Sequence, residues 1–324
     1  MTHDKTAGES TQRATLMLVR DQRSSVFRRH FCFLLFAATL SFLFWSSLST
    51  LFGVAVAHDY DSHIFIIVPI GGYLIFRKRH EIFSNVRWDF LPGGSVFLAG
   101  AILVLLTAWS ARFIPGDEYL RIRVLALVVL WIGGFIFCYG IPAFQAARFP
   151  LLFLLLLIPI PDFLVGTAIA WLQEGSAFVA FWLFKSLHVP VMRDGLIFHV
   201  PLLDLEVAKQ CSGIRSSVIL LITTLLVAEF ALGSAWRKSL LLLSVIPIVI
   251  LKNGLRIVTI SVLTVYVSRS FLHGWLHQSG GIVFYVLGLL AIVAILKLLK
   301  INDIQASKVP VPSPGQTFGG RSVI

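Results

Sequence analysis

Cys211 and Arg215 stand four residues apart in the polar string Ala208-Lys209-Gln210-Cys211-Ser212-Gly213-Ile214-Arg215-Ser216-Ser217, which ends at an apolar run beginning with Val218. A spacing of four puts thiol and guanidinium on one face of a helix. Downstream, Asn253 and Arg256 sit inside a second apolar run, and His277 precedes a third. Such a set suits acyl transfer, in which a thiolate attacks a peptide carbonyl, helped by a base or ion-pair partner and by a donor for the developing oxyanion. Helix-terminal N–H groups and nearby cations would favour the thiolate of Cys211. His277 could pair with the thiol and then protonate the leaving amine. Arg256 could hold the oxyanion; Arg215 could do the same, orient the substrate, or bind a carboxylate or a lipid phosphate.

The same residues admit plainer readings. A lone cysteine on an apolar helix is often a small core residue, and an arginine near a helix end can snorkel to the interface. His273 and His277, four apart, would give three zinc ligands with Cys211, yet His-Gly-Trp-Leu-His lacks the glutamate of a metalloprotease helix. Ser212 and Ser279 have no GxSxG context, and the chain carries no P-loop or dinucleotide fingerprint. The expectation is therefore an enzyme with no cofactor and no metal.

What must position these groups is a membrane bundle. The 324 residues are 57% hydrophobic and only 13% charged, with a mean hydropathy of +0.87, far too apolar for a soluble domain of this size. The formal charge of +11 would suit nucleic acid, but Lys and Arg gather at the ends of apolar runs as topological anchors, so no nucleic acid is expected as a partner. Three cysteines, Cys32, Cys138 and Cys211, are too few and too scattered for a disulfide framework, and none forms a CxxC pair.

The expected architecture is an all-α integral membrane fold of about eight transmembrane helices. Residues 1–30 form a basic, disordered cytoplasmic tail, 31–300 a single multi-pass domain, and 301–324 a second disordered cytoplasmic tail. The first run, 31–57, reads as an uncleaved signal anchor. Further spans follow at about 64–76, closed by Arg77-Lys78-Arg79, at 90–111, 121–141 and 149–161, where Pro159 and Pro161 stop the helix, and then at 213–231, 239–267 with a kink at Pro247, and 281–299. Arg237 and Lys238 put the end of 213–231 in the cytoplasm and its start outside. The fifth span also ends outside, so parity makes 165–187, with Gln173, Glu174 and Lys185, an amphipathic or re-entrant segment on the outer face. Asp194-Gly195 predicts a turn, and 196–207 a strand-like texture interrupted by Pro201. At 1.5 Å per residue, Arg256 lies roughly 26 Å along from Ser239, near the far edge of a hydrocarbon core of about 30 Å and at the depth of Cys211. Cys211 with Arg215, Asn253 with Arg256, and His277 thus converge on the outer interface, and ionisable groups at such depth mark function.

The chain also resembles the exosortases, membrane-embedded cysteine transpeptidases related to archaeosortases. The match runs through Tyr60-Asp61-Ser62-His63, Phe149-Pro150, Ile158-Pro159-Ile160-Pro161-Asp162, Cys211-Ser212-Gly213-Ile214-Arg215-Ser216, Asn253-Gly254-Leu255-Arg256-Ile257, and His277 with Gly280, Gly281 and Phe284, covering roughly residues 31–300. The resemblance implies an eight-helix enzyme with its Cys, Arg and His set on Cys211, Arg256 and His277, and Arg215 as a further motif residue; Asn253 is taken as a supporting or substrate-binding residue. It implies substrates that are exported proteins with a C-terminal sorting signal: a Pro-Glu-Pro motif, a transmembrane helix and a basic cluster. Cleavage near that motif would occur on the outer face of a bacterial inner membrane, often in bacteria that make exopolysaccharide, with membrane lipid as the solvent of the site. The acceptor nucleophile and the oligomeric state are left open. The competing reading is a non-enzymatic transporter or exopolysaccharide-assembly protein, whose buried Arg and His line a polar pathway.

Overall fold

The computed structural model describes residues 26–110, 113–201, 203–207, 213–268 and 281–306. It forms two compact units divided between Asp162 and Phe163. The fold is that of an all-α integral membrane protein. Among the described residues seven helices are long and apolar enough to cross a membrane, against about eight expected.

Unit one contains α1 (Val26–Leu43), α2 (Trp45–Ala57), α3 (Ile64–Arg77), α4 (Arg79–Ile82), α5 (Phe90–Ser110), α6 (Gly116–Ala146) and α7 (Arg148–Phe153), the last continuing as a 3-10 turn, Leu154–Leu157. Its scaffold is the antiparallel pair α5 and α6. A Cβ on Gly93 would come within 2.5 Å of the Phe137 backbone, one on Gly133 within 2.7 Å of the Phe97 backbone, and one on Gly100 within 2.8 Å of Leu130. Small residues thus let the two backbones touch, the packing mode that serves where lipid removes the hydrophobic drive between helices. Near its end α6 kinks at Gly140, with φ of 87°. Pro142 has no N–H for the carbonyl of Cys138, and Arg29 donates to that carbonyl instead at 2.9 Å. Asp89 accepts the Ile141 N–H at 2.9 Å and pairs with Arg87 at 3.0 Å, which closes the other side of the kink. That backbone N–H, with Arg87 beside it, holds the Asp89 carboxyl below its ordinary value.

Two expected spans are short. α3 has 14 residues, and α7 with its 3-10 turn covers only Arg148–Leu157. Beyond Leu157 the chain turns extended at Ile158, because Pro159 and Pro161 cannot continue a helix. Ten helical residues at 1.5 Å and four extended ones at 3.3 Å together reach about 28 Å, close to a bilayer core. The segment accordingly returns Asp162 to the end of unit one where α6 begins, within 3.2 Å of Arg121.

Unit two contains α8 (Asp162–Ser186, from Phe163), a sheet of β1 (Met192–Asp194), β2 (Ile197–Val200) and β3 (Leu203–Glu206), and then α9 (Ile214–Ala231), α10 (Ala235–Leu243), α11 (Val245–Tyr266) and α12 (Gly281–Ala306). The sheet is antiparallel in the order β1-β2-β3. Its first turn follows Asp194, with Gly195 at φ 58°, as expected, and Pro201 falls in the second. The expected bend near Pro247 appears as the break between α10 and α11, three residues before it. Pro247 then sits in the first turn of α11, where a missing N–H costs least.

The expectation for 165–187 is corrected. Of the two expected forms, amphipathic or re-entrant, the second is not seen: Asp162–Ser186 is one continuous helix of 25 residues. Phe163, Trp171, Phe178 and Trp182 are exposed, as are Glu174 and Lys185, while Gln173 and Ser176 are buried beside Ala177, Ala180 and Phe184. By length and composition α8 is one of the seven helices that could cross a membrane. It runs alongside α11 in the same direction. Gly175 meets Ile250, Ser176 meets Asn253, and Val179 meets Gly254. Further along, Ala180 and Phe184 join Val258 of α11 and Phe198 and Val200 of the sheet in one buried cluster.

Candidate active site

Cys211 and His277 lie outside the described residues, as do His273, Ser212 and Ser279. Arg215, Asn253 and Arg256 are described, and so are both ends of the Cys211 segment.

The segment is entered at Val207 and left at Gly213. Val207 is buried, continues the β2–β3 ladder through its N–H to the Leu196 carbonyl at 2.9 Å, and offers its own carbonyl to Gln173 Nε2 at 2.6 Å. Gly213 caps α9 in the left-handed region, with φ of 69° and ψ of 19°. Its carbonyl accepts from Ser216 Oγ at 2.9 Å, Ser217 Oγ at 2.8 Å and the Ser217 N–H at 2.9 Å. Asn253 Oδ1 lies 3.1 Å from where a Gly213 Cβ would be, so only glycine fits both the conformation and the space.

One face of α8 supports both ends. Gln173 holds Val207, and three residues on, Ser176 Oγ accepts from Asn253 Nδ2 at 3.1 Å while Asn253 packs on Gly213. Asn253 and Ser176 are 1% and 0% exposed, so this support is desolvated and stiff. The next residue, Gly254, lets α11 approach α8; a Cβ there would come within 2.7 Å of Val179.

Lys252 completes the row on α11. It is buried, and its Nζ donates to Ser216 Oγ at 2.6 Å. Arg256 is half-buried and four residues further along, on the same face as Lys252, whereas Arg215 is exposed in the first turn of α9. α11 continues ten residues past Arg256 to Tyr266, and the sheet packs on that continuation through Val258. Arg256 therefore stands within the packed unit and not at a helix terminus. The arrangement can hold the Gly213 turn still, with the Lys252 ammonium tied to it through Ser216.

Sequence reasoning overlooked Gln173, Ser176, Ser216 and Lys252 as site-building residues. For Lys252 the signal was available: an ionisable residue inside an apolar run is a functional candidate by its cost alone. Gln173 was noticed, but as a mark of surface polarity.

A second polar cluster closes unit one at the start of α6, joining the turn His58–His63, the first turn of α6 and the Pro159–Asp162 segment. Arg121, 8% exposed, pairs with Glu118 at 2.7 Å and Asp162 at 3.2 Å. Asp61 is buried, 3.8 Å from His58, and burial raises its carboxyl above the ordinary value against the pull of the Ile160 N–H and the neighbouring His63, His58 and Arg121. His63 is fixed between the carbonyls of Tyr60 at 2.9 Å and Leu156 at 3.2 Å. These are the loops that the charge rule assigns to one side, and they do assemble at one end of the unit. Among the described residues no group of three His, Cys, Asp or Glu side chains is arranged to hold a metal ion.

No curated protein matches the chain, and no solved structure does. The family described as transmembrane exosortase matches over residues 45–294, a range that includes the polar cluster of unit one, the Cys211 segment and the α11 row. By that match over most of its length, the chain belongs to the transmembrane exosortase family.

Proposed function

We propose that the protein is a membrane-embedded cysteine peptidase or transpeptidase that cleaves the C-terminal sorting signals of exported proteins in a bacterial inner membrane. Family membership supports the class, and one observation carries the reading: the chain on either side of Cys211 is clamped, by Gln173 at Val207 and by Asn253 at Gly213, with Lys252 and Arg256 on the adjoining helix. A structural cysteine would need no such clamp.

In this reading the Cys211 thiol gives its proton to His277, and the thiolate attacks the scissile carbonyl near the Pro-Glu-Pro motif. The tetrahedral oxyanion is held by Arg256, with Arg215 in a supporting role. As the intermediate collapses, the C–N bond breaks, His277 returns the proton to the leaving amine, and a thioester joins Cys211 to the new C-terminus. A second nucleophile, water for a protease or an amine for a transpeptidase, then displaces the thiol. The substrate's own transmembrane helix would present the cut site from the bilayer.

The test is processing of a tagged sorting-signal substrate in cells producing Cys211→Ala or Cys211→Ser at parental abundance. Processing should stop in both. Continued processing would overturn the mechanism, and loss of solute flux with intact processing in Arg256→Ala would favour transport.

A further inference from the structure

Unit one holds a small polar cavity at the start of α6 that the proposed reaction leaves unused. Its charged and titratable walls are His58 and Asp61, which follow α2, Asp117 and Arg121 of α6, and Asp162. The volume is about 20 Å³, more than the roughly 10–15 Å³ that one water needs, and His58, Asp117 and Asp162 reach solvent.

Two atoms of opposite need belong to these walls. Asp61 is 2% exposed, and its Oδ1 is buried without a hydrogen-bond donor; Arg121 is 8% exposed, and its Nε is buried without an acceptor. Buried polar atoms are almost always satisfied, so each of these asks for a partner. The surrounding side chains do not supply one. His58 Nδ1 stays 3.8 Å from Asp61 Oδ2, beyond hydrogen-bond reach. His63 turns both ring nitrogens to carbonyls, those of Tyr60 and Leu156. Arg121 turns its terminal nitrogens to Glu118 at 2.7 Å and Asp162 at 3.2 Å, so two carboxylates already meet its charge. Asp117 forms no ion pair among the described residues, which leaves Asp61 and Asp117 for a further cation. Burial of Asp61 also outweighs the pull of the Ile160 N–H and of the nearby histidines and Arg121, and holds its carboxyl above the ordinary value.

The cavity thus wants a cationic donor and, beside it, an oxygen acceptor. A primary ammonium is compact and carries three N–H donors, whereas a guanidinium is bulkier and a trimethylammonium donates nothing. We propose that this cavity binds an α-amino group together with the carbonyl or carboxylate oxygen next to it, as carried by a free amino acid or by the first residue of a peptide. The ammonium lies between Asp61 and Asp117, and the oxygen accepts from Arg121 Nε. The inference goes beyond the cysteine-peptidase reading and stands without it.

The experiment is calorimetric titration of full-length, detergent-solubilised protein at about pH 7, where the probes' amino groups are charged. Glycine or glycinamide should bind saturably, while acetate, which lacks the ammonium, and trimethylglycine, which lacks the N–H donors, should bind at least about tenfold more weakly. Glycine tighter than glycinamide and triglycine identifies a free amino acid as the ligand; the reverse order identifies the first residue of a peptide, and both keep the site. Asp61→Asn should weaken the tighter probe about tenfold or more. Because Asp61 is buried, Asp117→Asn repeats the test at an exposed wall, where a loss of a fewfold is expected. No saturable binding of glycine, glycinamide or triglycine would mean that the cavity holds water alone and would overturn the proposal. Trimethylglycine binding as tightly as glycine would do the same, as would parental affinity in both variants.

Discussion

Replacing Gly213 by alanine tests the clamp with the smallest possible perturbation. Gly213 has φ of 69°, where a residue with a Cβ pays about 1–2 kcal/mol. The added carbon would also lie 3.1 Å from Asn253 Oδ1 and 3.5 Å from Ser216 Oγ. Asn253 cannot retreat, because it is 1% exposed and tied to a fully buried Ser176. The few tenths of an ångström must come from the turn itself, at about 1 kcal/mol of overpacking. The expected loss is therefore about 2–3 kcal/mol, read as a lowered thermal unfolding temperature of the detergent-solubilised protein. Processing should suffer more than stability, since a misplacement approaching 1 Å at a reacting group costs about a hundredfold in rate. Gly213→Asn separates the two causes: asparagine tolerates the left-handed region, so the strain largely disappears while the contact remains. Stability between parent and Gly213→Ala, with processing still impaired, is the expected pattern. If Gly213→Ala melts and processes like the parent, Gly213 does not position the neighbouring thiol and the clamp argument fails.

Gly133→Leu should break the α5–α6 contact, because even a Cβ there would come within 2.7 Å of the Phe97 backbone, which cannot rotate away as a side chain would. A loss of about 3 kcal/mol or more and sharply reduced accumulation in membranes are expected; parental abundance and melting would show that the two helices are not in backbone contact. Asp61→Asn should change the pH dependence of stability. The folded-state carboxyl titrates above its ordinary value, so its contribution is fully present below about pH 4 and is lost as pH rises through the folded value. The melting temperature of the variant relative to the parent should therefore climb between about pH 4 and pH 7, and a difference that stays flat or falls across that window would contradict the buried, poorly compensated carboxylate.

Much of this protein is legible along the chain, because the bilayer imposes one-dimensional rules. Apolar length marks spans, cations mark ends, and prolines mark stops, so the membrane class, the 90–110 and 214–231 helices, the arrest at Pro159 and the turn after Asp194 all follow from local chemistry. The Cys-Ser-Gly-Ile-Arg-Ser string and the Asn-Gly-Leu-Arg string are equally local, and they carry the family resemblance that the match over 45–294 bears out. What the chain does not carry is who satisfies a buried polar group. Gln173, Glu174 and Lys185 make α8 look like a surface helix, yet Gln173 turns inward to a carbonyl 34 residues away, Glu174 pairs with Arg193 of β1, and Lys185 lies over Phe181 at 4.6 Å. Lys252 is hidden in an apolar run until its partner 36 residues earlier is seen. Hydropathy sums the cost of each residue in isolation, whereas a desolvated hydrogen bond is a property of two segments brought together. Sequence therefore determined the membrane class and the transmembrane exosortase family. Only the tertiary structure decided that α8 crosses the unit beside α11 and clamps both ends of the Cys211 segment, because that depends on which distant donors and acceptors the packed helices leave for one another.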